Sequence, residues 1–170
     1  MLSWVDGRPA AELPLSDRGL AYGDGLFETI AVRGGRAVLL SRHLARLAEG
    51  LRRLAIDLDL VALETELQAF FSELGEGVAK LIITRGDGLR GYAPPQPAQP
   101  RRILLGNPLP SYPAANAEQG VCLYPCVTRL AEQPLLAGLK HLNRLEQVLA
   151  RAEWSDPAFA EGLMRDVSGR

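Results

Sequence analysis

The amino-acid sequence predicts an α+β fold, because strand signals lie on both sides of two helical stretches in the first part of the chain. Glycine-containing turns at Asp6-Gly7 and Gly34-Gly35 indicate two β-hairpins near the N-terminus. Two amphipathic stretches with helical spacing follow, and two later apolar segments are typical of strands. Strands and helices grouped in this way favour an α+β domain.

The composition indicates an ordinary folded protein and argues against several classes of partner. Of its 170 residues, 47% are hydrophobic, which allows a sizeable core. The formal net charge is −1 and the basic residues are spread along the chain, so we expect no nucleic-acid binding. No apolar run approaches the roughly 20 residues of a membrane span, and the N-terminus lacks the pattern of a signal peptide. We therefore expect a cytoplasmic protein that does not bind membranes.

The stretch between the two hairpins, residues 16–29, is rich in glycine. Three glycines fall within residues 19–25, which indicates unusual backbone dihedrals or a close approach to another group. Polar and aromatic side chains beside such a turn suit a functional site, although a plain surface loop explains the glycines equally well. Strands are expected on either side of the second hairpin, at residues 29–32 and 37–40.

Two helices are expected next. The first begins at its predicted cap, Ser41. Its buried stripe comprises Leu44, Leu47, Ala48, Leu51, Leu54 and Ala55. The second helix spans residues 61–74, with Asp59 as a cap and Gly75 as the stop signal.

Two strands, at residues 78–84 and 103–105, are expected to complete this first domain. The segment 85–92 between them is glycine-rich and doubly basic. Residues 93–100 are rich in proline and polar residues, so we expect them to form an exposed loop.

The remainder of the chain predicts a second, smaller unit. Residues 107–116 contain three prolines and resemble a linker. We therefore expect an α+β domain at residues 1–108, a linker at 109–119, and the first part of a second domain at 120–170. With one helix between strands at 121–127 and 162–167, this second unit is too small to close a core of its own. We expect the chain to need further polypeptide to complete it.

The two cysteines, Cys122 and Cys126, lie four residues apart in the expected strand. They share a face but are roughly 13 Å apart at strand rise, which is too far for a disulfide. No histidine follows at a metal-ligand spacing, so we expect no metal site. We expect both cysteines to be small buried hydrophobic residues. Unpaired thiols suit a reducing compartment.

One lysine, Lys140, directly follows a glycine turn and precedes a predicted amphipathic helix. The apolar stripe of this helix comprises Leu142, Leu145, Val148, Leu149 and Ala152. A lysine held beside packed apolar surface can serve as a nucleophile or base. The alternative is a helix-start lysine in solvent.

Three motifs occur in order along the chain. The first is Asp17-Arg18-Gly19 followed by residues 22–29, the second is residues 43–47, and the third is Lys140 within residues 138–146. Together they resemble the class IV aminotransferases, which are fold type IV enzymes dependent on pyridoxal phosphate. The resemblance extends along essentially the whole chain and implies a two-domain fold type IV architecture.

Within this family, residues 138–146 and Arg90-Gly91-Tyr92 are most similar to the lyase branch that acts on 4-amino-4-deoxychorismate. The resemblance implies an enzyme that makes 4-aminobenzoate and pyruvate for folate biosynthesis, and a homodimer with the cofactor between the two domains. Two alternatives stay open: a D-amino-acid or branched-chain aminotransferase of the same fold, and a catalytically incomplete fragment.

The resemblance also implies which residues bind the cofactor. Lys140 would carry pyridoxal phosphate and act as a catalytic base, and Arg46 would bind the phosphate through its planar donors. Asn143, expected one turn into the helix, would orient the cofactor or bond the backbone of the helix start. The glutamate and the phosphate-binding turns that follow in the family have no counterpart before Arg170. We therefore expect this polypeptide by itself to bind the cofactor poorly.

Three further residues are implied on the substrate side. Thr29 would hydrogen-bond or protonate the departing oxygen, and as an ordinary strand threonine it would need no role. Arg90 would pair with a substrate carboxylate, with a solvated loop arginine as the alternative. Tyr92 would orient the substrate or pack at the base of its loop.

Overall fold

The computed structural model describes residues 2–170, which form two compact units. The first unit comprises the chain up to Leu109 together with Leu139–Leu142. The second comprises Pro110–Gly138 and Asn143–Arg170. Within the described residues, no helix has both the length and the apolar character that a membrane span requires.

The first unit is built on a six-stranded antiparallel sheet. Its strands are β1 (Ser3–Val5), β2 (Arg8–Pro9), β3 (Gly25–Arg33), β4 (Arg36–Ala37), β5 (Gly77–Thr84) and β6 (Arg101–Asn107). Their spatial order is β2-β1-β6-β5-β3-β4. Both predicted hairpins are confirmed. Their central residues have positive φ, at 50° and 79° for Asp6-Gly7 and at 54° and 70° for Gly34-Gly35, as turns that match the twist of the strands require.

Two fifteen-residue helices, α2 (Leu40–Leu54) and α3 (Leu60–Leu74), pack on one face of this sheet. The predicted ends of α3 are confirmed, since the Asp59 carboxylate accepts hydrogen bonds from two backbone N–H groups and Gly75 follows the last turn. The predicted start of α2 is wrong. Leu39 takes the cap position with φ 57°, so Ser41 lies inside the helix and the expected strand at 37–40 ends at Ala37.

The core lies between this face of the sheet and the two helices. Its fully buried side chains include Ile30, Val32, Leu63, Leu67, Phe70, Phe71, Leu81, Ile83 and Leu104. Alternate residues of β3 and β5 contribute to it, as a sheet covered on one side requires. The predicted stripe of α2 is confirmed at Leu47 and Leu51. It is wrong at Ala55, which ends the helix in a left-handed conformation and is exposed.

The glycine-rich stretch between the hairpins contains a short helix, α1 (Arg18–Tyr22), that the sequence analysis does not predict. The Asp17 carboxylate caps its first turn, and Gly23, at φ 65°, ends it. Both Asp17 and Arg18 are buried, so this stretch is part of the packed unit rather than a surface loop.

The second unit contains α4 (Ala115–Gln119), β7 (Cys122–Leu130), α5 (Leu145–Arg151) and β8 (Phe159–Asp166). The two strands pair in parallel, with α5 packed against both. Its small core of Cys126, Ala150 and Trp154 is flanked by Tyr124, Phe159 and Met164. Both thiols are free, as expected from their spacing, but only Cys126 is buried and Cys122 is exposed.

The prediction for the helix after Lys140 is wrong in its start and in its buried face. Helix α5 begins at Leu145, because the chain at 140–142 is extended and pairs with β3 instead. Leu145, Val148 and Leu149 are 69%, 61% and 54% exposed, and the buried residue of α5 is Ala150.

Candidate active site

Strand β3 presents the residues of the site on its two faces. Leu26, Glu28, Ile30 and Val32 are buried on the side covered by the helices, whereas Phe27 is half-buried and Thr29 is exposed on the other side. Lys80 of β5 lies directly opposite Thr29 in the antiparallel register, so both side chains share the uncovered face.

Lys140 lies at the edge of β3 rather than at the start of a helix. The Phe27 N–H donates to the Lys140 carbonyl at 2.9 Å, and the Leu142 N–H donates to the Gly25 carbonyl at 3.1 Å. Leu26 and His141 form the antiparallel bridge between these two bonds. Residues 140–142 therefore act as a short strand beside β3.

This pairing sets the Lys140 side chain opposite Phe27 on the uncovered face. The Lys140 Nζ is 4.3 Å from the centre of the Phe27 ring, which is a favourable cation–π distance. The Lys80 Nζ is 5.4 Å from the same ring centre. Phe27 and Lys80 were not predicted as site residues from the sequence. The sequence signal that could have identified them is the two-residue alternation of β3 and β5. The positions between the buried residues of these strands, which include Phe27 and Lys80, point to the other face of the sheet.

On the covered side, Glu28 holds Arg46 and His43 together. The Arg46 Nε donates to Glu28 Oε1 at 2.7 Å, and its Nη2 donates to Oε2. The His43 Nδ1 lies 2.7 Å from the same Oε2. The Glu28 side chain is only 1% exposed, whereas that of Arg46 is 49% exposed. The guanidinium is thus fixed by a buried carboxylate while half of the side chain faces solvent.

The electrostatics of this cluster keep Glu28 ionised. Burial acts to raise the pKa of Glu28, but hydrogen bonds from Arg46 and His43 outweigh it and bring the pKa below the ordinary value of 4.5. The hydrogen bond to Glu28 raises the pKa of Arg46. Glu28 and His43 were not predicted as site residues from the sequence. The available sequence signal for Glu28 was that it is a carboxylate at one of the alternating positions of β3 that are otherwise apolar.

Lys140 and Arg46 contact consecutive residues of one strand, Phe27 and Glu28, whose side chains point to opposite faces. Thr29 follows directly. These contacts bring three of the predicted site residues to one short segment of β3. The Lys140 amine thus lies on the uncovered face of β3, and the Arg46 guanidinium lies beside Glu28 on the face covered by the helices. An amine and a guanidinium are the groups that an aldehyde bearing a phosphate requires, and their shared contact with one cofactor stays a prediction.

Arg90 and Tyr92 lie on the loop between β5 and β6. Arg90 is exposed, and Tyr92 is 86% exposed with its ring 5.5 Å from that of Tyr22. The carbonyl groups of this loop accept hydrogen bonds from Arg18, so its anchor is α1 rather than β3. The expected exposure of residues 93–100 is confirmed, since every one of them is exposed or half-buried.

Asn143 belongs to the second unit and is exposed. It precedes the first residue of α5, Leu145, by two positions, so its predicted place one turn into a helix is wrong. The physical reason is the same as for Lys140, because the preceding residues are held in an extended conformation by β3.

The fold agrees with comparison to known proteins. Residues 25–170 match the family model for amino-transferase class IV, and the chain therefore belongs to this family of pyridoxal-phosphate-dependent enzymes. The resemblance drawn from the three motifs is confirmed, and so is the mixed fold of strands and helices.

Three individual proteins show how similar the chain is to known lyases and to an aminotransferase of the same fold. A crystal structure of 4-amino-4-deoxychorismate lyase from Pseudomonas aeruginosa is 73% identical with a TM-score of 0.96, over 98% of this chain and 62% of that chain. Aminodeoxychorismate lyase from Vibrio harveyi is 39% identical over 166 residues, which are 96% of this chain and 61% of the relative. The branched-chain amino acid aminotransferase of Escherichia coli shares the fold alone, at 22% identity and a TM-score of 0.78, over 99% of this chain and 60% of that chain. The chain thus spans about three fifths of the length of these relatives.

Proposed function

We propose that this chain belongs to a pyridoxal-phosphate-dependent lyase that converts 4-amino-4-deoxychorismate to 4-aminobenzoate and pyruvate, a step of folate biosynthesis. The observation that carries the proposal is the Lys140 amine held 4.3 Å from the Phe27 ring, one residue along β3 from the carboxylate that fixes Arg46. The choice of substrate follows from the 73% identity to the Pseudomonas aeruginosa lyase.

The cofactor would be held by Lys140 and Arg46. Pyridoxal phosphate, when bound, supplies an aldehyde that links to an amine and an electron sink that acidifies the carbon bearing that amine. The Lys140 amine provides the attachment point. The Arg46 guanidinium provides charged donors for the phosphate, and Glu28 sets its orientation. Asn143 is proposed to help orient the ring of the cofactor.

The remaining steps concern protons and carboxylates. The Lys140 nitrogen takes the proton from the ring carbon that bears the amino group of the substrate. Loss of this proton lets the bond between the ring and the enolpyruvyl oxygen break, and the ring becomes aromatic. The Thr29 hydroxyl donates to the departing oxygen, which leaves as enolpyruvate and becomes pyruvate. Thr29 suits this task because it lies on the uncovered face, two residues and about 7 Å along the strand from Phe27.

Arg90 and Tyr92 are proposed to bind the substrate. The substrate carries two carboxylates, and the exposed guanidinium of Arg90 can donate two parallel hydrogen bonds to one of them. We further propose that the enzyme is a homodimer, as its family resemblance implies. A cytoplasmic location suits this assignment, because two free thiols persist best in a reducing compartment.

An assay for pyruvate release tests this function. The full-length gene product, supplied with pyridoxal phosphate and 4-amino-4-deoxychorismate but no keto acid, is expected to release pyruvate and 4-aminobenzoate in equal amounts. An aminotransferase is the second candidate, favoured by the fold shared with the Escherichia coli enzyme. It would stay silent until a keto-acid acceptor is added. Amino-group transfer that depends on the keto acid, without pyruvate release, would contradict the lyase proposal.

A further inference from the structure

Arg18, the first residue of α1, is a buried arginine that the proposed chemistry does not use. It is only 4% exposed, and arginines are rarely buried to this extent without a partner for their charge and donors. Its partners therefore indicate what it does. Three of the four side-chain hydrogen bonds described for Arg18 go to the loop that carries Arg90 and Tyr92, and the fourth goes to Asp24.

The guanidinium of Arg18 donates to three successive carbonyl groups of that loop. Its Nη1 donates to the Gly91 carbonyl at 3.1 Å and to the Ala93 carbonyl at 3.3 Å, and its Nη2 donates to the Tyr92 carbonyl at 2.9 Å. The Arg18 backbone N–H donates to the Gly86 carbonyl at 2.9 Å. One residue thus binds both ends of the segment 86–93.

Tyr22, at the other end of α1, strengthens the same attachment. Its Oη accepts a hydrogen bond from the Gly91 N–H at 3.2 Å. Its ring packs against that of Tyr92 and lies beneath the Arg18 guanidinium, whose Cζ is 5.0 Å from the ring centre. The main chain around Gly91 is therefore held through its carbonyl by Arg18 and through its N–H by Tyr22.

The charge of Arg18 is balanced by a carboxylate that has a second partner. The Arg18 Nε donates to Asp24 Oδ2 at 2.8 Å, and the Arg85 Nε donates to the same oxygen at 2.8 Å. Arg85 also donates to the carbonyls of Leu54 and Ala55 at the end of α2. If Arg18 were replaced by a neutral residue, Asp24 would keep a cationic partner, so the substitution would leave no lone buried charge.

Gly88 shows how closely the loop approaches Arg18. A Cβ at this position would lie 2.7 Å from Arg18 Cδ and 2.9 Å from Cγ, distances at which one of the two must move. An alanine here would press on Arg18 from the side of the loop while leaving its charge and its donors in place.

We propose that Arg18 is a positioning residue that holds the loop 86–93 in one conformation and so presents Arg90 and Tyr92 to the substrate. Three successive carbonyl acceptors match the forked donors of a guanidinium, which a lysine does not supply. This inference rests on the proposed function, because that function assigns Arg90 and Tyr92 to the substrate.

Tryptic cleavage after Arg90 measures the order of the loop directly. In the full-length gene product, Arg18→Met is expected to raise the rate of cleavage at the Arg90–Gly91 bond by about tenfold, since the flanking carbonyls lose their donors. Arg18→Lys should remain cleaved faster than the unsubstituted protein, and Gly88→Ala should show the same effect while keeping Arg18. Arg36→Met, at an exposed arginine of β4, is the matched control and should not change this rate. Intact mass identifies the fragments, and urea unfolding confirms that each variant is folded.

The substrate role of the loop is measured on the same variants. Arg18→Met and Gly88→Ala are expected to raise KM for 4-amino-4-deoxychorismate by about tenfold with kcat within about twofold, because the groups displaced bind substrate rather than move protons. An unchanged cleavage rate in both variants would overturn the anchoring role. Faster cleavage with unchanged KM would overturn the positioning role and leave the lyase proposal standing. Absence of pyruvate release from the unsubstituted protein would instead contradict the proposed function, while the cleavage rates would still decide whether Arg18 holds the loop.

Discussion

At the scale of single residues, a buried carboxylate decides how the arginine of the site is presented. Both oxygens of Glu28 accept hydrogen bonds from Arg46, and one of them also contacts His43. A solvated helix arginine would sample many rotamers, whereas Arg46 is held in one orientation with half of its side chain exposed. Orientation before binding reduces the entropy cost of forming charged hydrogen bonds to an anion.

Replacement of Arg46 tests its proposed contact with the cofactor phosphate. Arg46→Ala is expected to weaken the binding of pyridoxal phosphate by roughly 1.5–3 kcal/mol, a rise in Kd of about 10- to 150-fold, which is the loss expected for charged hydrogen bonds. Cofactor titration followed by absorbance measures it. Arg42→Ala is the matched control, since Arg42 is an exposed arginine one turn earlier on α2. Equal dissociation constants in the two variants would count against the phosphate role.

Replacement of Glu28 tests whether the stability contributed by the cluster of Glu28, Arg46 and His43 depends on pH. Because the pKa of Glu28 is lowered in the folded protein, its contribution to stability is fully present above the unfolded value and is lost as pH falls through the folded value. Glu28→Gln should therefore reduce the free energy of unfolding by roughly 1.5–3 kcal/mol at neutral pH. The deficit should shrink below pH 4.5, the ordinary value of a glutamate. Urea unfolding at several pH values measures it, and a deficit independent of pH would show that Glu28 is not charged in the folded state.

At the scale of elements, the position of Lys140 depends on an edge of β3 that β4 leaves uncovered. β4 pairs only with Val32 and Arg33, at the far end of the strand. The near end therefore offers backbone groups to residues 140–142, which take them in an antiparallel pairing. This pairing is what separates Lys140 from α5 and turns its amine to the uncovered face of the sheet.

Helix α3 gives the sharpest test of an element predicted from sequence. The Asp59 carboxylate accepts hydrogen bonds from the N–H groups of Val61 and Ala62 at 2.9 and 3.0 Å. Asp59→Ala is expected to lower the free energy of unfolding by about 1 kcal/mol, the usual effect of losing a cap. Asp57→Ala, at an exposed aspartate just outside the helix, should change it by less than about 0.5 kcal/mol. Urea unfolding compares the two, and equal losses would argue against the capping role.

At the scale of the whole molecule, sequence signals that act over a few residues predicted the hairpins and the ends of α3 well. They did not predict which distant segments of the chain pair with each other. The two hairpins and the ends of α3 follow from turn glycines and a cap, which act within a few residues. The extended conformation of Lys140–Leu142 depends on backbone groups of β3 that are distant in the sequence, and no local pattern carries that information. Periodicity assigned Leu145 and Leu149 to a buried face, but both are exposed and the buried residue of α5 is Ala150. Glu28 could have been predicted from the strand pattern, because it is a charged residue at one of the buried alternate positions of β3.

The Lys140 amine is proposed to carry the cofactor, and the site of covalent attachment can be located by chemical labelling. Pyridoxal phosphate added to the full-length gene product should give a visible absorbance band, and borohydride reduction followed by peptide mapping should locate the label on Lys140. Lys80→Ala, the matched control at the second lysine beside the Phe27 ring, is expected to keep both signals. Lys140→Ala is expected to lose both. A band that persists in Lys140→Ala, or a label found on Lys80, would show that Lys140 does not carry the cofactor.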